Sequence, residues 1–415
     1  MANKSSIFIF LIIALLLSGC TVNSSSPSSS FLNHVPARPD TISGYPTETV
    51  SGKAVLEYLR DEKITAGWNL GNTLDSHREG IAGETSWGNP SVNRNLINGI
   101  KAAGFDIIRI PVTWMGDIGL PPDYRLSASR LRRVGEIVEM AKDAGLKVII
   151  NLHHDGATES GGKDLGWLSI GRASRNSDAY NSITAKYARV WKQIAEYFKN
   201  YGEWLIFESF NELHDGNWQT CTDPGQFIVL NKWNQLFVDI VRSTGGNNQS
   251  RYLMVGAYCN DNKQALSAGF MLPSDPVKDK LIVSFHYYDP YELTIRGSRY
   301  SWGTPADKQK VDNDFAPFKT RFIDNNIPVI IGECGAVLQL YPNDAARQAQ
   351  ARQSRIDYLT YLFDAAKKNE LIPIYWDNGV TSGGGEKFGL INRTTGLPNS
   401  SDSEALIITM TNVVK

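Results

Sequence analysis

The sequence is short of several things, and each shortage excludes something. Its 415 residues carry four cysteines and six histidines, and 42 Lys plus Arg against 43 Asp plus Glu leave a formal net charge of -1. A chain so close to neutral has no global field to attract nucleic acid or an anionic membrane surface. No apolar run approaches the roughly 20 residues of a membrane-spanning helix. The run Ile7 to Leu17 stops well short of that. No G-x-G-x-x-G follows the first candidate strand, which argues against a dinucleotide-binding sheet. Beyond Cys20, the cysteines Cys221, Cys259 and Cys334 match no zinc spacing. In an oxidising compartment they allow one bridge, Cys221 with Cys259, or three isolated thiols. Aromatic residues are plentiful, with ten Trp, seventeen Tyr and sixteen Phe. They serve a packed core or a cleft lined with rings.

The N-terminus reads as a processing segment. Lys4 precedes the apolar run, as in a secretory signal, and the run ends in Leu17-Ser18-Gly19-Cys20. That box resembles the bacterial lipoprotein cleavage site, where the cysteine becomes the lipidated terminus; the other reading is an ordinary signal peptide. Residues 1–20 are therefore expected to be a signal, and residues 21–49, rich in Ser and Pro, a tether unable to bury enough surface to fold. Residues 50–415 form one domain.

Within that domain, short runs rich in Val and Ile alternate with longer segments of helical period, the pattern of parallel strands joined by helices. Eight strands are predicted: Ala66 to Asn69, Ile107 to Pro111, Lys147 to Leu152, Leu205 to Phe210, Tyr252 to Ala257, Leu281 to Phe285, Pro328 to Gly332 and Ile372 to Tyr375. Helices are expected at Val92 to Ala103, Ala128 to Ala144, Asn181 to Asn200, Gln226 to Ser243, Asp314 to Asn325, Asp344 to Asn369 and Ser403 to Lys415. AAGFDIIRI and DAGLKVII read as one helix-Gly-strand unit used twice. Eight such units favour an α/β fold of the single (β/α)8 TIM barrel type over an open sheet.

Barrel chemistry sits at the C-terminal strand ends, and here those ends are polar. Arg109 lies in the second strand, which runs on to Trp114. His153 and His154 follow the third, Asn211 and Glu212 the fourth, His286 and Tyr288 the sixth, Glu333 the seventh and Trp376 the eighth. Singly, each has a bland explanation in packing or ion pairing. Jointly, they place two carboxylates on opposite sides of one mouth, as glycosidic cleavage requires: one acid protonates the leaving oxygen while the other stabilises charge at the anomeric carbon. Strand alternation is expected to put Ile331 with Glu333, and Phe210 with Glu212, on one face. Hydrogen bonds from Arg109, His286 and Tyr288 would hold Glu333 ionised as nucleophile, leaving Glu212 as acid/base and Asn211 for the sugar 2-hydroxyl.

From about Gly52 to the C-terminus the sequence resembles glycoside hydrolase family 5, the cellulase-type family of retaining barrels. The resemblance rests on Arg109 in RIPVTW, His153 in NLHH, Asn211 and Glu212 in FNE, His286 and Tyr288 in FHYYDP, Glu333 in IGECG and Trp376 in IYWDNG. It implies the same two roles for Glu212 and Glu333, and a platform role for Trp376. GWNLGN and ETSWGNP look like the endoglucanase branch acting on cellulose, mixed-linkage glucan and xyloglucan; β-mannan is an alternative. Asn72, Trp87 and His154 would then line the cleft, and Trp218 and Trp302 lie in loops able to extend it.

The resemblance further implies an endo-acting enzyme with no cofactor and no metal. The N-terminal segment adds the expectation of an exported cell-envelope or secreted protein, held to membrane only by the lipid on Cys20, and the chain's charge that of no nucleic-acid partner; it is expected to be a monomer with β-glucan as partner. Two rivals stand against it. A metal-dependent barrel would use His153, His154, Asp155 and His286, but lacks an H-x-H at its first strand; a glycan-binding lipoprotein would have no need of both Glu212 and Glu333.

Overall fold

The computed structural model describes residues 44–159, 162–218 and 220–415. The expected signal and Cys20 lie outside the described residues. Eight parallel strands close into a barrel in simple sequential order: β1 (Gly67–Leu70), β2 (Ile107–Ile110), β3 (Lys147–Ile150), β4 (Leu205–Glu208), β5 (Leu253–Asp261), β6 (Leu281–Tyr287), β7 (Val329–Cys334) and β8 (Ile372–Asp377). The helices around it are α1 (Val55–Asp61), α2 (Arg94–Ala102), α3 (Ala128–Asp143), α4 (Ser177–Tyr197), α5 (Pro224–Ser243), α6 (Pro305–Arg321), α7 (Ala345–Lys368) and α8 (Ser401–Val413). No helix among the described residues is long and apolar enough to cross a membrane.

Alternation along the strands sorts the side chains. Ile107, Ile149, Ile206, Met254, Ile282, Ile330 and Ile374 point inward and form one apolar cluster, closed from below by Val55, Tyr58 and Leu59 of α1. Residues of the opposite parity, such as Ile108, Val148, Phe207 and Ile331, join the larger cluster between strands and helices. Two residues further along the inward face the layer turns polar: Arg109, Asn151, Glu208 and Ser284 are all fully or almost fully buried.

Helix starts follow local chemistry. α6 begins nine residues before the predicted Asp314, because Thr304 and Asp307 form a reciprocal capping box and Pro305 occupies the first turn. The stretch from Gly44 to Thr49, read from sequence as the end of a tether, packs on the barrel. Tyr45 stacks on Tyr201 with ring centroids 3.9 Å apart. Glu48 accepts the Gly202 N–H at 2.6 Å and the Tyr45 hydroxyl at 2.9 Å, and pairs with Lys142. These partners sit beside the N-terminal ends of β3 and β4, at the foot of the barrel.

Candidate active site

The polar layer is organised by Arg109. Burial works against its charge, but Glu208 and Glu333 outweigh that and hold the proton more firmly than usual. Nε donates to Glu208 Oε2 at 2.7 Å and Nη2 to Oε1 at 3.3 Å, so Glu208 takes the guanidinium edge-on. Nη1 donates to Glu333 Oε1 at 2.8 Å and Asn69 Oδ1 at 3.1 Å, and Nη2 to Asn211 Oδ1 at 2.8 Å. All five N–H groups are used, which a lysine could not reproduce. Because Asn211 accepts through its oxygen, its amide nitrogen is left to face the mouth.

Glu333 reaches the mouth by a route that strict alternation does not give. Ile331 packs outward, against the expectation that it shares a face with Glu333. The β6–β7 register slips between Phe285 paired with Ile331 and His286 paired with Glu333, so Gly332 is the extra residue of a bulge that swings Glu333 inward. For Glu212 the expectation also fails, because β4 ends at Glu208 and Phe210 packs in the outer cluster. A carboxylate oxygen of Glu212 and one of Glu333 lie within 4.8 Å of each other. That matches the close spacing, about 5 to 5.5 Å, of retaining rather than inverting pairs.

The partners of the two acids differ. Tyr288 donates to Glu333 Oε2 at 3.1 Å, as expected. His286 instead sits 2.6 Å from Glu212 Oε1 and 3.7 Å from Glu333 Oε2, so it serves the expected acid/base rather than the nucleophile. Burial pushes His286 down to about 4, which makes it neutral at ordinary pH. Burial pushes Glu212 up to about 7, with Arg109 opposing. Glu333 is raised by burial too, but the Arg109 guanidinium bonded to it favours its anion. Two direct donors, Arg109 and Tyr288, make Glu333 the first of the pair to ionise. The Glu212 side chain is 21 % exposed against 7 % for Glu333, so water reaches the former more readily.

The cleft above these groups has a volume of about 790 Å³ and is lined by His153, His154, Asn211, Glu212, Trp218, Tyr288, Glu333, Trp376 and Glu386, among others. Trp376 lies parallel to His153, ring centroids 5.8 Å apart. Trp87 is 40 % exposed and its ring stands 5.2 Å from that of His154. Asn72 takes a left-handed backbone (φ 55°), its N–H bonded to Asp75 and its carbonyl to Asn89; it supports the β1 loop. Trp218 is exposed in the cleft wall, whereas Trp302 is buried against Tyr358 and Tyr361 and does not extend the cleft. The three described cysteines are free, so Cys221 and Cys259 are not bridged.

Sequence reasoning missed Glu208, Asn69 and Asn151. The signal was available: Ile107-x-Arg109, Ile149-x-Asn151 and Ile206-x-Glu208 repeat one inward alternation, which puts polar side chains of three neighbouring strands in one layer. Asp75, His153 and His154 also offer ligand atoms within 4.8 Å of one another. Both Asp75 oxygens, however, already accept the backbone N–H groups of Asn72 and Thr73.

A closed eight-stranded barrel with opposed, unequally titrating carboxylates across an aromatic-walled cleft defines a glycoside-cleaving enzyme. Residues 74–382 match the family described as Cellulase (glycosyl hydrolase family 5), and the chain belongs to that family. It is similar to endoglucanase A of Paenibacillus barcinonensis, 37% identical over 370 residues, spanning 83% of this chain and 88% of the relative. A xyloglucan-specific endo-β-1,4-glucanase of Bacteroides ovatus is 37% identical over 364 residues, spanning 83% and 68%. Among solved structures, a broad specificity endoglucanase from Bacteroides salanitronis superposes with a TM-score of 0.79 at 38% identity, covering 91% of this chain and 99% of that one.

Proposed function

We propose that the protein is a retaining endo-β-1,4-glucanase acting on cellulose, mixed-linkage glucan and xyloglucan, with Glu333 as nucleophile and Glu212 as acid/base. The observation that carries the roles is the unequal setting of the two acids: Glu333 is fixed by Arg109 and Tyr288, while Glu212 is raised to about 7 beside a neutral histidine. Glu333 attacks the anomeric carbon as Glu212 protonates the departing sugar oxygen. Glu212, now anionic, then takes a proton from water, and the resulting hydroxide equivalent cleaves the glycosyl ester and releases Glu333.

Around that centre Asn211 offers its amide to the 2-hydroxyl, Trp376 forms the platform under the ring, and His153 and His154 line the glycone side with Trp87 beside His154. The relatives' printed activities on glucan and xyloglucan support the substrate range. Export, with lipid on Cys20 and a tether leading to a single catalytic domain that works as a monomer, rests on the N-terminal sequence and belongs to the same proposal.

The test is reducing-end release from cellulose derivatives, mixed-linkage glucan, xyloglucan and mannan, by the wild type and by Glu333→Gln. Release from the glucans that disappears in the variant is expected. Release only from mannan, or release that survives the substitution, overturns the reading.

A further inference from the structure

The reaction above uses two acids, yet a third carboxylate, Glu208, lies deeper in the same barrel with no exposure to solvent. It is an expensive group to place there unless its partners are well arranged. Its Oε1 and Oε2 take the Nη2 and Nε edge of Arg109, and Oε2 also accepts from Asn151 Nδ2 at 3.0 Å. The same Asn151 nitrogen lies 3.2 Å from His153 Nδ1. An amide nitrogen can only donate, so His153 Nδ1 must accept and the imidazole proton must sit on Nε2, which points toward Glu333 Oε1 at 3.9 Å.

Glu208 therefore stands one hydrogen bond behind Arg109 and, through Asn151, two behind His153, and both groups face the reacting carboxylate. We propose that Glu208 is a positioning residue for the glycosidase reaction: it sets the plane of Arg109, selects the His153 tautomer, and shares the guanidinium charge so that Glu333 is not over-stabilised. The inference rests on the proposed roles of Glu333 and Glu212. The groups facing Glu333 are Arg109, His153, Glu212, His286 and Tyr288. Beyond them, Cys259 and Cys334 are thiols that burial keeps protonated. Among all these Arg109 is the permanent cation, and Glu208 is the carboxylate that holds its far edge. Removing that anion leaves the positive charge to Glu333 alone, which lowers the pH at which Glu333 ionises and weakens it as a nucleophile.

The experiment compares wild type, Glu208→Gln and Glu208→Asp on a dinitrophenyl β-cellobioside, whose leaving group needs no proton from Glu212. Gln keeps size and loses charge; Asp keeps charge and loses reach. For Gln we expect kcat/KM to fall about tenfold or more, without a matching fall in kcat, and its acid limb to move down by about half a pH unit or more. Asp should leave that limb in place. Imidazole nitrogen NMR should show His153 protonated on Nε2 in the wild type, with that preference lost in Gln. An unmoved acid limb with kcat/KM within twofold, or a Gln variant that does not fold, overturns the proposal and makes Glu208 a structural buttress. A wild type that cleaves neither this glycoside nor glucan overturns the functional reading itself, a result separate from any behaviour of the variants.

Discussion

Glu212 carries a stability cost that its setting makes measurable. Its carboxyl rises from an ordinary 4.5 to about 7 in the folded chain, first because it is buried. A raised folded value means that the unfolded chain releases its proton earlier, so stability is full below about pH 4.5 and is lost as the pH climbs through 7. The difference corresponds to at most about 3.5 kcal/mol. Glu212→Gln, which cannot ionise, should melt above the wild type at pH 8 and alongside it at pH 4; a lower melting temperature at pH 8 would refute this. The activity profile should be bell-shaped, its basic limb near 7 and belonging to Glu212, its acid limb above the usual carboxylate range and belonging to Glu333. Arg109→Lys should lose activity and about 3–5 kcal/mol of stability, read from the urea midpoint, because one ammonium cannot serve Glu208, Glu333, Asn69 and Asn211 together.

The strands and the chain order of the mouth residues were legible in the sequence because alternation and Val/Ile runs are local signals. The bulge in β7 was not, because register is a property of two strands at once: nothing in IIGEC alone says that Gly332 has no partner opposite it. The same limit explains why His286 was assigned to Glu333 rather than Glu212, and why Glu208 passed as one more strand residue. The start of α6 was missed for a different reason, since the capping signal lies in Thr304 and Asp307, upstream of any helical period. The bulge makes its own prediction. A Cβ on Gly332 would lie 2.8 Å from Ser284 Oγ and 3.1 Å from His286 Nε2. Gly332→Ala should therefore push His286 off Glu212 and lower kcat about tenfold or more while the far-ultraviolet spectrum stays unchanged; a fully active variant would show that the bulge tolerates the contact.

On the scale of the whole molecule, the barrel is plugged at its foot by α1 and strapped there by the segment around Glu48. Glu48 is half-buried and yet held below the ordinary carboxylate value: burial raises it, and the bonds from Lys142, Trp204, Gly202 and Tyr45 more than offset this. Its contribution is thus present above pH 4.5 and fades in acid. Glu48→Ala should cost about 1.5–3 kcal/mol, measured by denaturant unfolding at pH 7, and leave kcat on glucan untouched. Loss of activity in parallel with stability would mean that strap and mouth are coupled.

The strap also sets where the described chain begins. Tyr45, Glu48 and Lys142 fix the start of the described chain at the pole opposite the cleft, away from the catalytic rim. Were the enzyme moored through the lipid proposed for Cys20, its mouth would turn outward, and a polymer far longer than the protein could lie across the opening.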